Sequence, residues 1–126
     1  MKKTHFENLQ VYQLAEKLAD EIWKIVTTWD ALAKNTVGTQ IIRSADSIGA
    51  NLAEGSGCGS NQDYRRFIKI SRGSLYETRH WLRRAFKRDL LSKEQINVLI
   101  PLIDELTPKL NAYLRSIGTF EQKSEE

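Results

Sequence analysis

Apolar residues recur along most of this chain at intervals of three and four, and no segment alternates strictly, so the pattern predicts helices and no strands. The first helix covers 9–29. Val11, Ala15, Leu18, Ile22, Ile25 and Trp29 make its stripe, flanked by Leu14, Ala19 and Val26, with Glu16, Lys17, Asp20, Glu21 and Lys24 on the polar face. At about 1.5 Å per residue it is a rod of roughly 30 Å. A short polar link, 30–38, leads to a second helix over 39–55 with Ile41, Ala45, Ile48 and Leu52 as its core stripe. The run Gly55-Ser-Gly-Cys-Gly-Ser60 ends that helix and turns the chain. Ser60 or Asn61 caps a third helix over 61–88, and Asp63 lies in its first turn, where the helix dipole favours an anion. Its stripe is Tyr64, Ile68, Ser71, Leu75, Thr78, Leu82 and Ala85, widened by Phe67, Ile70, Ser74, Trp81 and Phe86.

The fourth helix, over 92–117, opens on Ser92 with Gln95 three residues on, a capping-box spacing. Ile96, Leu99, Ile103, Leu106, Leu110, Tyr113 and Ile117 carry the period to Gly118, which is read as the stop. The period is unbroken across Pro101 and Pro108, so one kinked or curved helix is expected, with the tail 119–126 frayed. Four helices with short connections and no internal repeat predict a single all-α domain over 1–126, an antiparallel up-down-up-down four-helix bundle.

A second stripe runs beside the core stripe of the second helix: Gln40, Ser44, Ser47, Asn51 and Glu54. Solvated helix faces favour Lys and Glu, whereas Ser and Asn compete for backbone hydrogen bonds. Small polar residues in register therefore point to a face packed closely on another helix or a neighbouring subunit, the alternative being a helix merely half exposed. In an antiparallel hairpin, Ser71, Gly73 and Ser74 lie opposite Gly49, Ala50 and Ala53, so the second and third helices approach closely. A buried hydrogen-bonded pair such as Arg43 with Glu54 or Glu77 fits the same face, giving specificity of packing more than net stability.

Composition narrows the class. With 126 residues, 40% hydrophobic and 28% charged, the chain can build a core without staples. One cysteine, Cys58, excludes an intrachain disulfide and fits a reducing compartment. The N-terminus lacks an apolar signal-peptide core and no window suits a membrane span, so a cytoplasmic protein with no membrane partner is expected. Catalysis is not expected: no Ser or Cys has a recognisable base, and no small-molecule substrate is evident. Glu77-Thr-Arg-His80 gives a Glu-x-x-His spacing once only, beside Arg79 and Arg83, so neither metal nor cofactor is expected. The glycine-rich turn follows a helix and no lysine succeeds it, unlike a nucleotide-binding loop; an anion at the next helix N-terminus remains open.

Charge carries the positive signal. Between Ser60 and Leu90 stand nine basic residues, Arg65, Arg66, Lys69, Arg72, Arg79, Arg83, Arg84, Lys87 and Arg88, against the three acids Asp63, Glu77 and Asp89. That surplus of six exceeds the whole-chain charge of +3, so the remainder is negative by about three. Arg65, Lys69, Arg72, Tyr76, Arg79, Arg83 and Lys87 follow helical spacing, a basic ridge about 30 Å long with an aromatic in its middle. Arginine grips phosphate with two donors and stacks on rings, which suits nucleic acid. The alternative is that these cations pair with acids of the first helix or another subunit.

Three segments together resemble a known family: Phe6-Glu-Asn-Leu-Gln-Val-Tyr-Gln-Leu-Ala15, Gln40-Ile-Ile-Arg-Ser-Ala-Asp-Ser-Ile-Gly-Ala-Asn-Leu-Ala-Glu-Gly55 and Asp63-Tyr-Arg-Arg-Phe-Ile-Lys-Ile-Ser-Arg-Gly-Ser-Leu-Tyr-Glu77. They look like the bacterial four-helix-bundle proteins encoded by intervening sequences within large-subunit ribosomal RNA genes, related to the accessory variability proteins of diversity-generating retroelements. The signature falls on Gln40, Arg43, Ser44, Ser47, Asn51, Glu54 and Gly55. The resemblance implies assembly into a homopentameric ring and binding of RNA, DNA or a reverse-transcriptase-like partner through basic surfaces.

Overall fold

The structure is a computed structural model that describes residues 4–125, with side chains described as far as Ile117. Four long helices form the bundle: α1 (Gln10–Val26), α2 (Thr39–Ser56), α3 (Asn61–Lys87) and α4 (Lys93–Glu125). Consecutive helices pack on each other, α4 closes the square against α1, and the α2–α3 pair is the most intimate. The buried residues of α1, Val11, Ala15, Leu18, Ile22 and Ile25, fall on the expected stripe, joined by Val26 from its flank. Leu18, Ile48, Leu52, Ile68, Leu75, Leu106 and Leu110 are wholly excluded from water at the centre.

The first helix stops at Val26 and does not reach residue 29. The Thr27 and Thr28 hydroxyls donate back to the carbonyls of Lys24 and Ile25 at 2.6 and 2.7 Å, competing with helix continuation. Trp29 is buried nonetheless, its indole N–H donating to the Leu90 carbonyl at 2.9 Å. This contact joins the link after α1 to the link after α3. The stretch 30–38, expected as a polar link, is helical instead. Asp30 caps the turn Ala31–Ala33 by accepting from the Ala33 N–H at 2.9 Å, and a π-helix, Lys34–Gly38, runs directly into α2. Burial of Ala33 and Val37 favours this path. Gly38 permits it, because a Cβ there would meet Val26 Cγ1 at 2.8 Å and the Ala33 carbonyl oxygen at 3.1 Å.

Ser60 is the cap of α3, accepting from the Asp63 N–H at 3.1 Å. Its C-terminal end is a Schellman arrangement: the Leu90 N–H donates to the Ala85 carbonyl at 2.9 Å and the Asp89 N–H to the Phe86 carbonyl at 3.1 Å. Asp89 holds the left-handed position with φ 59°, a place that a short polar residue tolerates. In α4 the capping box forms reciprocally, the Gln95 N–H to Ser92 Oγ at 3.1 Å and the Ser92 N–H to Gln95 Oε1 at 2.9 Å. The helix passes through both exposed prolines as expected, but it also passes Gly118 and continues to Glu125. A glycine inside a helix costs only about 1 kcal/mol, so it does not by itself compel a stop. The side chains of 118–126 lie outside the described residues.

The α2–α3 contact is close, through Ser71 as the spacing suggested but not through Gly73, Gly49 or Ala50. Among the described residues, Ser44, Ser71 and Thr78 are the buried polar side chains. Thr78 Oγ1 lies 3.0 Å from Ser44 Oγ and 2.8 Å from the Ser74 carbonyl, and the Ser71 hydroxyl donates to the Ile48 carbonyl of α2 at 2.7 Å. Gly73 faces open space and Ala50 is exposed, while Gly49 packs on Tyr12 of α1. At Gly55 the approach is close, since a Cβ there would stand 2.7 Å from Phe67 Cβ and 3.0 Å from the Tyr64 ring. Gly55→Ala is therefore expected to cost about 1–3 kcal/mol in urea unfolding, because backbone or the Phe67 stem must shift. A loss below about 0.5 kcal/mol would mean the two helices separate freely.

Candidate nucleic-acid interface

The cations of the third-helix ridge have different surroundings. Arg65 and Arg72 lean onto α4: the Arg65 guanidinium donates to the Leu114 carbonyl at 2.7 Å and that of Arg72 to Asn111 Oδ1 at 3.1 Å. Beside them the Tyr64 and Tyr113 hydroxyls share a 2.5 Å hydrogen bond. Burial, then that hydrogen bond, push the Tyr64 hydroxyl well above its ordinary pKa, so it stays protonated. These contacts make Arg65 and Arg72 a latch between α3 and α4. Arg66 pairs with Asp63 at 3.8 Å and lies 4.6 Å from the centre of the Phe67 ring. Arg84 is half-buried.

Lys69, Arg79, Arg83, Lys87 and Arg88 are exposed. Among the described residues the ion pairs are Lys24–Glu21, Arg66–Asp63 and Lys109–Glu105, so none of these five reaches a carboxylate of the described chain. Glu77, two positions before Arg79, instead accepts from the Trp81 indole N–H at 3.0 Å. Among the described residues, Arg66 is the one cation of the nine with a carboxylate partner.

Arg79 and Arg83 stand on the wall of an open groove of about 510 Å³ between α3 and α4. Leu82, Leu99 and Ile103 line its depth, and His80 and Asp104 lie at its edges. Tyr76, Phe86 and Ile100 border it while remaining 49%, 52% and 46% exposed. The spacing assigned Phe86 and Ile70 to the core, yet both are exposed. A periodic stripe wider than the helix–helix contact has margins that the bundle leaves uncovered. Sequence periodicity gave no sign that Ile100 completes a groove with α3.

The signature residues of α2 divide as well. Ser44 is buried against α3, but Gln40, Ser47 and Asn51 are only half-buried, and Arg43 and Glu54 are exposed. Ser47 donates to the Arg43 carbonyl at 2.7 Å and the Asn51 amide to the Ser47 carbonyl at 2.8 Å, both within their own helix. No pair of Arg43 with Glu54 or Glu77 forms. Arg43 and Glu54 are eleven residues apart on one helix, about 16 Å along its axis, which prevents direct contact. Along this flank of α2, a shallow groove of about 650 Å³ runs against α1, walled by Trp23, Ile42, Arg43, Asp46 and Ser47. Trp23 is 56% exposed there.

Partial burial, then the nearby Asp20 carboxylate, raise the Asp46 pKa above its ordinary value. The folded state therefore binds that proton more tightly than the unfolded chain, and this group disfavours folding increasingly as pH rises through the folded pKa. Asp46→Asn is expected to raise the melting temperature slightly at neutral pH and to leave it unchanged below pH ~3, where both states are protonated. An equal shift at both pH values would assign the effect to packing.

Among the described residues no group of His, Cys, Asp and Glu is placed to hold a metal ion, and no helix is long and apolar enough to cross a membrane. Cys58 is half-buried in the turn after α2. The class defined by these elements is an up-down four-helix bundle with a cationic, apolar-floored groove. The chain belongs to the family of 23S rRNA-intervening sequence proteins, whose profile matches residues 7–112. It is also similar to a crystal structure from Bacteroides thetaiotaomicron VPI-5482, a protein of unknown function from the S23 ribosomal protein family. The TM-score is 0.73 at 23% identity, over 82% of this chain and 97% of that one, and the likeness shows the fold. No curated protein matches the chain.

Proposed function

We propose that the protein is a non-catalytic, self-associating bundle of the cytosol that binds nucleic acid through the free half of the α3 basic face. The observation that carries this reading is that Lys69, Arg79, Arg83, Lys87 and Arg88 are exposed and reach no carboxylate of the described chain. Exposed arginines without internal partners are available to phosphate, and a reverse-transcriptase-like partner would bring nucleic acid to the same face. The test is binding to mixed-sequence RNA and DNA across a range of salt concentrations. Each phosphate neutralised on duplex DNA steepens the log–log dependence by about 0.9, and on single strands by about 0.7. A slope worth several contacts supports the reading; no binding at low salt overturns it and leaves an interaction scaffold whose arginines serve protein contacts.

Self-association is supported by surface the subunit leaves uncovered. Trp23 stands out, 56% exposed, in the groove that Arg43 and Ser47 of the signature also line, and Leu32 is 76% exposed. Repetition of the basic face around a homopentameric ring, the assembly implied by the family resemblance, would turn a modest subunit charge into a strong field. Trp23→Glu is expected to shift the sedimenting species toward monomer without loss of helicity, because a charge is placed where an apolar ring would be covered. An unchanged oligomer would remove Trp23 from any subunit contact.

A further inference from the structure

The free half of α3 carries rings as well as cations. Tyr76, Arg79, Arg83 and Phe86 succeed one another at intervals of three, four and three, so they form a single column along the helix. The two rings are about half exposed. Neither meets another aromatic side chain among the described residues, where the ring pairs are Phe6–Tyr12, Tyr64–Tyr113 and His80–Trp81. Ten residues along a helix separate the rings by about 15 Å, and the two arginines lie between them. Under this column the groove floor is apolar, formed by Leu82, Leu99 and Ile103.

Arginines alone would suit any polyanion. Exposed rings interleaved with them add flat apolar surfaces, which a duplex cannot use, because its base faces are stacked on each other. A single strand can turn its bases out onto aromatic side chains while its phosphates remain near cations. Asp104, the carboxylate of the opposite wall, repels phosphate and favours a backbone path along the α3 side.

We infer that the α3–α4 groove takes single-stranded nucleic acid, with bases on Tyr76 and Phe86 and phosphates on Arg79 and Arg83. This rests on the nucleic-acid reading above and specifies the form of the ligand. The test measures affinity for mixed-sequence single-stranded RNA and DNA oligonucleotides and for the matching duplexes, using wild type, Tyr76→Ala and Phe86→Ala. Both substitutions are at exposed positions, and thermal melts check that the fold is kept. Wild type is expected to prefer the single strands. Each alanine is expected to weaken single-strand binding roughly tenfold with the salt slope unchanged and duplex binding unaffected, because stacking adds affinity without counting phosphates.

Equal affinity for both forms, or alanine variants that bind single strands as wild type does, would overturn the inference while leaving the nucleic-acid reading intact. A change of sedimenting species in Tyr76→Ala or Phe86→Ala would also overturn it, since the groove would then be a contact between copies of the chain. Absence of binding to both forms would remove the underlying reading, and this one with it.

Discussion

Trp29→Ala is expected to destabilise the bundle by about 3–5 kcal/mol, a large part of the roughly 5–15 kcal/mol available to a domain of this kind. The indole is 8% exposed and packs in the cluster that includes Val26, Ala33 and Val37. Its N–H satisfies the Leu90 carbonyl across a separation of 61 residues. Alanine would leave a cavity and an unpartnered carbonyl at the turn between α3 and α4, two penalties that add at one site. Trp29→Phe separates them: most of the packing is kept, and about 0.5–1.5 kcal/mol should be lost with the hydrogen bond. Urea unfolding followed by circular dichroism reads both variants. A loss below about 1 kcal/mol for the alanine would show that the two chain links do not depend on this side chain.

The double variant Arg79→Glu/Arg83→Glu is expected to lose nucleic-acid affinity by roughly 60-fold at about 0.1 M salt, with a salt slope shallower by about 1.8 on duplex DNA. The size follows from two phosphates no longer neutralised, and the two new carboxylates add repulsion. The matched control is Lys17→Glu/Lys24→Glu on α1, where both lysines are exposed and the net charge changes by the same amount. If binding depends on the field of the whole molecule, the two double variants lose affinity alike. If it depends on the α3 face, the control retains most of it, and only that outcome supports a local site.

Much of the fold was legible in the sequence because it is set by local rules. The 3.6-residue period placed the cores of all four helices, Ser60 and Ser92 marked two helix starts, and the apolar period carried the fourth helix through its prolines. Terminal positions were less legible. Whether α1 ends at Val26 or Trp29 depends on threonine hydroxyls taking backbone carbonyls, and whether 30–38 is a loop or a π-helix depends on space beside Val26. Gly118 has the chemistry of a stop but not the force of one.

What the sequence determined by itself is the all-α bundle, the polarisation of charge onto the third helix, and the family signature, because each rests on residue identity and spacing. Only the tertiary structure decided which members of those patterns are free. Arg65 and Arg72 have the same chemistry as Arg79 and Arg83, and they differ because α4 offers Leu114 and Asn111 opposite the first pair and an apolar groove opposite the second. Likewise Ser44 is buried while Ser47, three positions on, is not, since a stripe is wider than the contact a neighbouring helix makes. Periodicity defines a face, but a partner with a finite edge decides how much of that face it covers.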